Sequence, residues 1–256
     1  MASRHTLLVF LTATAFSAAS CRSTNSEHGP DYDMEICVPP NALAVAGLHL
    51  DQIRGSNSYR SLPPGWLALV EPLRNANYLM LAYNGKEVLA IARGRFAAAP
   101  PGAVLLAPDL ALAGSPDAIR DAVRQRATGQ PGAPSLLARS HAIAGRPIWA
   151  VARGARPLPL TGNAANLNKL LRFTDYATIA ATVNSTIELE AAGFCPKADA
   201  AQQLEETLRG LISLATATTH DRDLVAMMRS VQLRREDATI HLSLSASASA
   251  LEGLLR

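Results

Sequence analysis

Asn84-Gly85 sits between two strand-like runs, Tyr78–Tyr83 and Glu87–Arg93, and that dipeptide is the strongest short-range signal for an antiparallel hairpin. Glycine reaches the positive φ of a tight reversal without steric cost, and asparagine tolerates it better than most residues. The same grammar returns twice. Ala177–Val183 and Thr186–Ala192 flank Asn184-Ser185, and Val231–Arg235 is followed by Thr239–Ser245. In the second of these, Ile187, Leu189 and Ala191 alternate with Glu188 and Glu190. In the third, Ile240, Leu242 and Leu244 alternate with Thr239, His241 and Ser243. A period of two with one apolar side describes antiparallel strands packed on one face and open on the other.

Helical signals lie between the strands. Ala42–Leu48 reads as a buried strand, then Asp51–Ser61 and Gly65–Arg74 as short helices separated by Pro63-Pro64. Val104–Leu106 and Leu110–Ala113 are short strands. Ser115 stands as N-cap with Pro116 at the first helical position. Ser135–Ile143 and Ala164–Arg172 are helical, with the strand Ile148–Arg153 between them. Pro196 leads a long helix with Ala201, Leu204, Leu208, Leu211, Ile212 and Ala215 on one face, and Asp221–Arg229 is shorter. Strands mixed with helices on antiparallel pairings make an α+β protein.

The N-terminus supplies an address. Arg4 and His5 precede the apolar run Thr6–Phe16, and Ser17-Ala18-Ala19-Ser20 place small side chains directly before Cys21. That run is too short for the ~20 apolar residues a membrane span needs. Residues 1–20 therefore read as an export signal, with Cys21 as the site of lipidation. Ala18 stands where lipobox sequences usually carry Leu, so ordinary cleavage near Ala18-Ala19-Ser20 is the alternative. On the first reading the chain sits in the periplasm or on the outer face of the envelope, held to a membrane by acyl chains. On the second it is soluble in the periplasm or secreted.

Residues 21–36 are polar and lack apolar periodicity, so they read as a tether between lipid and a body spanning 37–256. His28, Asp31, Asp33 and Glu35 within it are better read as solvated than as cation ligands, because nothing fixes their geometry. Without residues 1–20 the chain keeps 23 Lys+Arg against 21 Asp+Glu, so no basic footprint for nucleic acid exists. With Cys21 assigned to the anchor, Cys37 and Cys195 remain as an even pair in an oxidising compartment. Cys37 precedes one strand and Cys195 follows another. If those strands are neighbours the two thiols meet in a disulfide; otherwise both are free.

Faint repetition runs through the body. Ala44-Val45-Ala46-Gly47, Ala111-Leu112-Ala113-Gly114 and Glu190-Ala191-Ala192-Gly193 each read as a strand end leading into helix. Ala90-Ile91-Ala92-Arg93-Gly94 and Ala150-Val151-Ala152-Arg153-Gly154 end later strands. This suggests related strand–helix units in two similar halves, about 37–155 and 156–256; chance in an Ala-rich chain is the alternative. If the repeat is real, Arg93 and Arg153 occupy matching strand ends and form a paired anion site. Otherwise they solvate sheet edges.

The segment Gly114-Ser115-Pro116-Asp117 through Ala122, then Ser135-Leu136-Leu137 and Pro147-Ile148-Trp149, resembles a group of exported bacterial α+β proteins of unknown function, over about residues 38–256. The resemblance implies the fold class and export, and it brings no active site.

Catalytic and cofactor signatures are missing from the sequence. There is no G-x-S-x-G, S-x-x-K, C-x-x-C or H-E-x-x-H, and no phosphate-binding glycine loop, so no cofactor or metal is implied. Cys195 precedes a helix, and His141, His220 and His241 are conceivable partners, but no spacing connects them; a structural cysteine is the simpler reading. His49, beside Asp51, and His220 read as surface or capping residues. The sequence therefore points to a non-catalytic binding or envelope-associated module with an unidentified protein or small-molecule partner. An envelope hydrolase with dispersed residues is the alternative.

Overall fold

Among the described residues hydrophobic alternation builds ten strands, and these join in one antiparallel sheet in the order β4-β5-β3-β2-β1-β6-β7-β8-β10-β9. The computed structural model describes residues 30–56, 74–100, 102–158, 167–184, 186–219 and 222–246. In chain order the strands are β1 (Ala44–His49), β2 (Ala76–Tyr83), β3 (Val88–Gly94), β4 (Ala103–Ala107), β5 (Leu110–Ala113), β6 (Ile148–Arg153), β7 (Tyr176–Val183), β8 (Ile187–Phe194), β9 (Gln232–Glu236) and β10 (Thr239–Ala246). Seven helices accompany them among the described residues: α1 (Tyr32–Glu35), α2 (Leu50–Gly55), α3 (Pro116–Ala127), α4 (Pro134–Ser140), α5 (Leu167–Leu171), α6 (Ala198–Thr218) and α7 (Arg222–Ser230). The α+β architecture expected from the sequence is present.

The strand order repeats about the β1–β6 pairing. Outward from β1 the order is β2, β3, β5, β4; outward from β6 it is β7, β8, β10, β9. Each half is a three-strand meander whose third strand pairs the later strand of a hairpin. The topological repeat begins with β6, so the expected division at 155/156 falls one strand late. The sequence echoes lie on strands this topology does not equate: Ala90–Gly94 is on β3 and Ala150–Gly154 on β6.

Helix placement breaks the symmetry. On one face, Val45, Tyr78, Met80, Leu89, Ile91, Leu112, Trp149 and Val151 pack under α1, α3 and α4 through Met34, Ala118, Ala122, Leu136 and Leu137. On the other face α2 brings Leu50 against Leu79 and Ala92. The second half is covered on that same other face, where Leu170 of α5 and Ala201 and Leu204 of α6 pack with Ile240. Met227 of α7 meets Ala246 there. Pro116 and the Ser115 side chain, which accepts from Ala118 N at 3.1 Å, start α3 as the sequence indicates.

Several boundaries differ from expectation. The segment read as a tether through residue 36 is folded from Asp31 onward. Asp31 caps α1 by accepting from Met34 N, and Met34 is 1% exposed in the core. One buried methionine and a satisfied cap give this short turn a packing reason that hydropathy alone did not show. α2 ends at Gly55 with Ser56 extended, and residues 57–61 of the expected helix lie outside the described residues. Residues 65–73 of the expected helix, Pro63-Pro64, Ser185 and residues 1–29, with Cys21, lie outside the described residues.

Candidate functional site

Alternation along β7, β8, β10 and β9 sends one set of side chains to α5, α6 and α7 and the other set to a face that α4 meets only at Tyr176 and Phe194, and that no described helix covers from Glu190 outward to β9. Strand register aligns that second set in rows. Glu190 pairs with Ser243, which pairs with Gln232; Ala192 pairs with His241, which pairs with Arg234. Glu190, Gln232, Arg234, Glu236, His241 and Ser243 line an open concavity of about 470 Å³. The sequence marked Glu188, Glu190 and His241 as outward-pointing. It did not show that β8 and the β9–β10 hairpin converge here, because the β8–β10 pairing is long-range.

The charges on this face are partly paired. Arg234 Nη2 lies 2.8 Å from Glu236, and His241 Nε2 lies 3.8 Å from the same carboxylate. At the rim, the Arg146 guanidinium donates to Thr182 Oγ1 at 3.0 Å and to Glu190 Oε2 at 3.0 Å. These groups are exposed, so such pairs are each worth only about 0–1 kcal/mol. They are therefore available to exchange partners at little cost.

Cys37 and Cys195 are both free and buried, so the expected bridge is absent. The reason is topological. The bridge required β1 and β8 to be neighbours, yet β6 and β7 separate them. Three strand steps are about 14 Å, beyond the ~7 Å Cα separation a disulfide spans. The thiols sit in different core clusters. Burial pushes the Cys37 thiol above its usual value against the opposing pull of Arg126. Burial, helped by the Asp175 charge, also raises Cys195, so neither is an activated nucleophile.

Arg93 and Arg153 do not meet. Arg93 pairs across β2 with the row of His49, whereas Arg153 N donates to Leu43 O at the other end of β1. From Leu43 to His49 is about 20 Å of extended chain, so the paired anion site is ruled out. Arg93 is instead neutralised. Its guanidinium pairs with Asp31, with Asp109 at 2.8 Å and with Asp33 at 3.8 Å. Arg126 takes Asp33 at 3.3 Å, and His141 Nε2 lies 2.7 Å from Glu35. Three of the acidic residues read as solvated tether therefore clasp α1 to the body.

The histidines are dispersed. His49, expected at the surface, is 1% exposed, with Nε2 2.7 Å from Ala144 O and its ring edge-on to Tyr78. No described serine or cysteine hydrogen-bonds to His141 or His241, and His220 lies outside the described residues. Among the described residues no group of three His, Cys, Asp or Glu has metal-holding geometry, and no helix is long and apolar enough to cross a membrane.

No protein-family model matches the chain, and no curated protein matches it. Among solved structures it is similar to TP0453 of Treponema pallidum. Against crystal form III of TP0453 the TM-score is 0.56 at 10% identity, covering 86% of this chain and 96% of that one. Against crystal form I the TM-score is 0.52 at 10% identity, covering 87% and 98%. At that identity the likeness establishes a shared fold.

Proposed function

We propose that this chain is a non-catalytic, envelope-associated binding module. On this reading it is exported through residues 1–20, tethered by acyl chains on Cys21, and receives a protein or small-molecule partner on the open face of β8, β10 and β9. The observation that carries the reading is the uneven helix coverage. The first half of the sheet is packed under α1, α3 and α4, while the same face of the second half presents Glu190, Arg234, His241 and Ser243. A sheet face with alternating polar side chains in fixed register is a rigid recognition surface. The export signal and the fold shared with TP0453 support an envelope setting.

The test has two arms. Palmitate labelling with and without globomycin, in wild type and Cys21→Ser, reads the tether: label on wild type alone is expected. Unlabelled wild type free in the periplasm would remove it. A photo-crosslinking side chain at Ser243 or His241 should give a discrete adduct in cells, weakened by Arg234→Glu, and one at Val123 on α3 should not. Equal adducts at both places would remove the binding face.

A further inference from the structure

Arg153 does not join Arg93, yet it has a second arginine beside it. On β6, Arg153 lies directly opposite Tyr176 of β7, which in turn lies opposite Phe194 of β8. The three side chains share one face of the sheet, and α4 crosses that row. Ser135 and Arg139, one helical turn apart on α4, face the same patch. Arg153 Nη2 is 3.4 Å from Ser135 Oγ, and Ser135 Oγ is 3.3 Å from Tyr176 Oη. The Arg139 guanidinium stacks over both rings, 4.2 Å from the Tyr176 centroid and 4.9 Å from that of Phe194.

Two features of this patch bear on ligand binding. Among the described residues neither Arg139 nor Arg153 is paired with a carboxylate, as is also true of Arg95 and Arg172, whereas Arg93, Arg126 and Arg146 are paired. Two guanidinium groups held around one tyrosine without an intervening acid repel each other. In addition, Arg153 Nε is buried and has no hydrogen-bond partner, which is costly for a charged donor. Arg93 Nε shares that condition, but three carboxylates already neutralise Arg93.

We propose that Arg139 and Arg153, with the Ser135 and Tyr176 hydroxyls, form a binding site for a phosphoryl group. Two guanidinium groups and two hydroxyls, converging from a strand and a helix, suit the tetrahedral array of four oxygens on a phosphoryl group, ester oxygens included, better than the two of a planar carboxylate. The bound anion cancels the repulsion between the arginines and accepts from their terminal N–H donors. The stacking of Arg139 on Tyr176 and Phe194 holds its fork in place before the ligand arrives. This site is independent of the open face of β8, β10 and β9, so either reading stands if the other fails.

Calorimetric titration of the full-length chain in detergent, at constant ionic strength, tests it with two probes: inorganic phosphate and glycerophosphoglycerol. Saturable binding is expected, with Kd raised at least tenfold in Arg153→Gln and in Arg139→Gln and unchanged in the surface control Arg120→Gln. Arg153→Lys, which keeps the charge but not the fork, should fall between. Tighter binding of the diester identifies a lipid headgroup as the source of the phosphoryl group, and tighter binding of inorganic phosphate identifies a free ion. Absence of saturation with both probes overturns the site, as does an unchanged Kd in folded Arg153→Gln or Arg153→Lys.

Discussion

Trp149 donates its indole N–H to the Tyr78 hydroxyl at 2.9 Å, across the backbone of Gly47, which lies between them in the sheet. Both side chains are buried, and they meet because β1 carries no side chain at that point. A Cβ on Gly47 would sit 2.2 Å from Trp149 Nε1 and 2.2 Å from Tyr78 Oη. The glycine, seen in sequence as part of a strand-exit motif, lies mid-strand and makes room for a polar contact at the centre of the sheet.

Gly47→Ala should therefore lose about 2–3 kcal/mol or more, since overpacking of this kind forces both rings off their positions. Tyr78→Phe should lose about 1–3 kcal/mol by leaving the Trp149 N–H buried without an acceptor. Urea denaturation followed by tryptophan fluorescence measures both. A Gly47→Ala protein as stable as wild type would contradict the packing described.

Gly210 gives the opposite outcome. It lies within α6, and an added Cβ would meet nothing within 4 Å. Gly210→Ala should raise stability by about 0.5–1 kcal/mol through helix propensity and reduced unfolded-state entropy. Thermal denaturation should show a higher Tm.

The thiols are expected to be unreactive rather than bridged. In native protein Cys37 and Cys195 should resist alkylation, because they are 0% and 8% exposed. In denaturant without reductant both should label fully, and reductant should add nothing. A gain of two labels on reduction would restore the disulfide.

Burial of Cys37, Cys195 and Tyr78 sets a direction for pH dependence. Each has its folded-state pKa raised, the thiols from 9.0 and the phenol from 10.0, with desolvation as the largest cause. Below those values both folded and unfolded states hold the proton, and the stabilisation is complete. As pH rises past about 9 the unfolded thiols ionise while the folded ones do not, so stability falls. Urea midpoints should drop between about pH 8 and about pH 10, and the slope should flatten in Cys37→Ala. An equal slope in that variant would mean that Cys37 is not the group responsible.

What could be read along the chain follows from short-range physics. Leu110–Ala113 and Ile148–Arg153 are strands at their expected limits, and Ser115 caps α3, because hydrophobic period and capping chemistry act within a few residues. The outward direction of Glu190 and His241 was legible for the same reason. Four matters were decided only by tertiary structure: the order of strands, the separation of Cys37 from Cys195, the burial of His49, and the meeting of Arg139 with Arg153 around Tyr176. Each depends on which strands become neighbours, and antiparallel strands of similar Ala- and Leu-rich composition carry no local label for their partners. Long-range pairing is selected by the packing of whole faces under helices, where a single side chain such as Met34 counts through what it fills rather than where it stands in the chain.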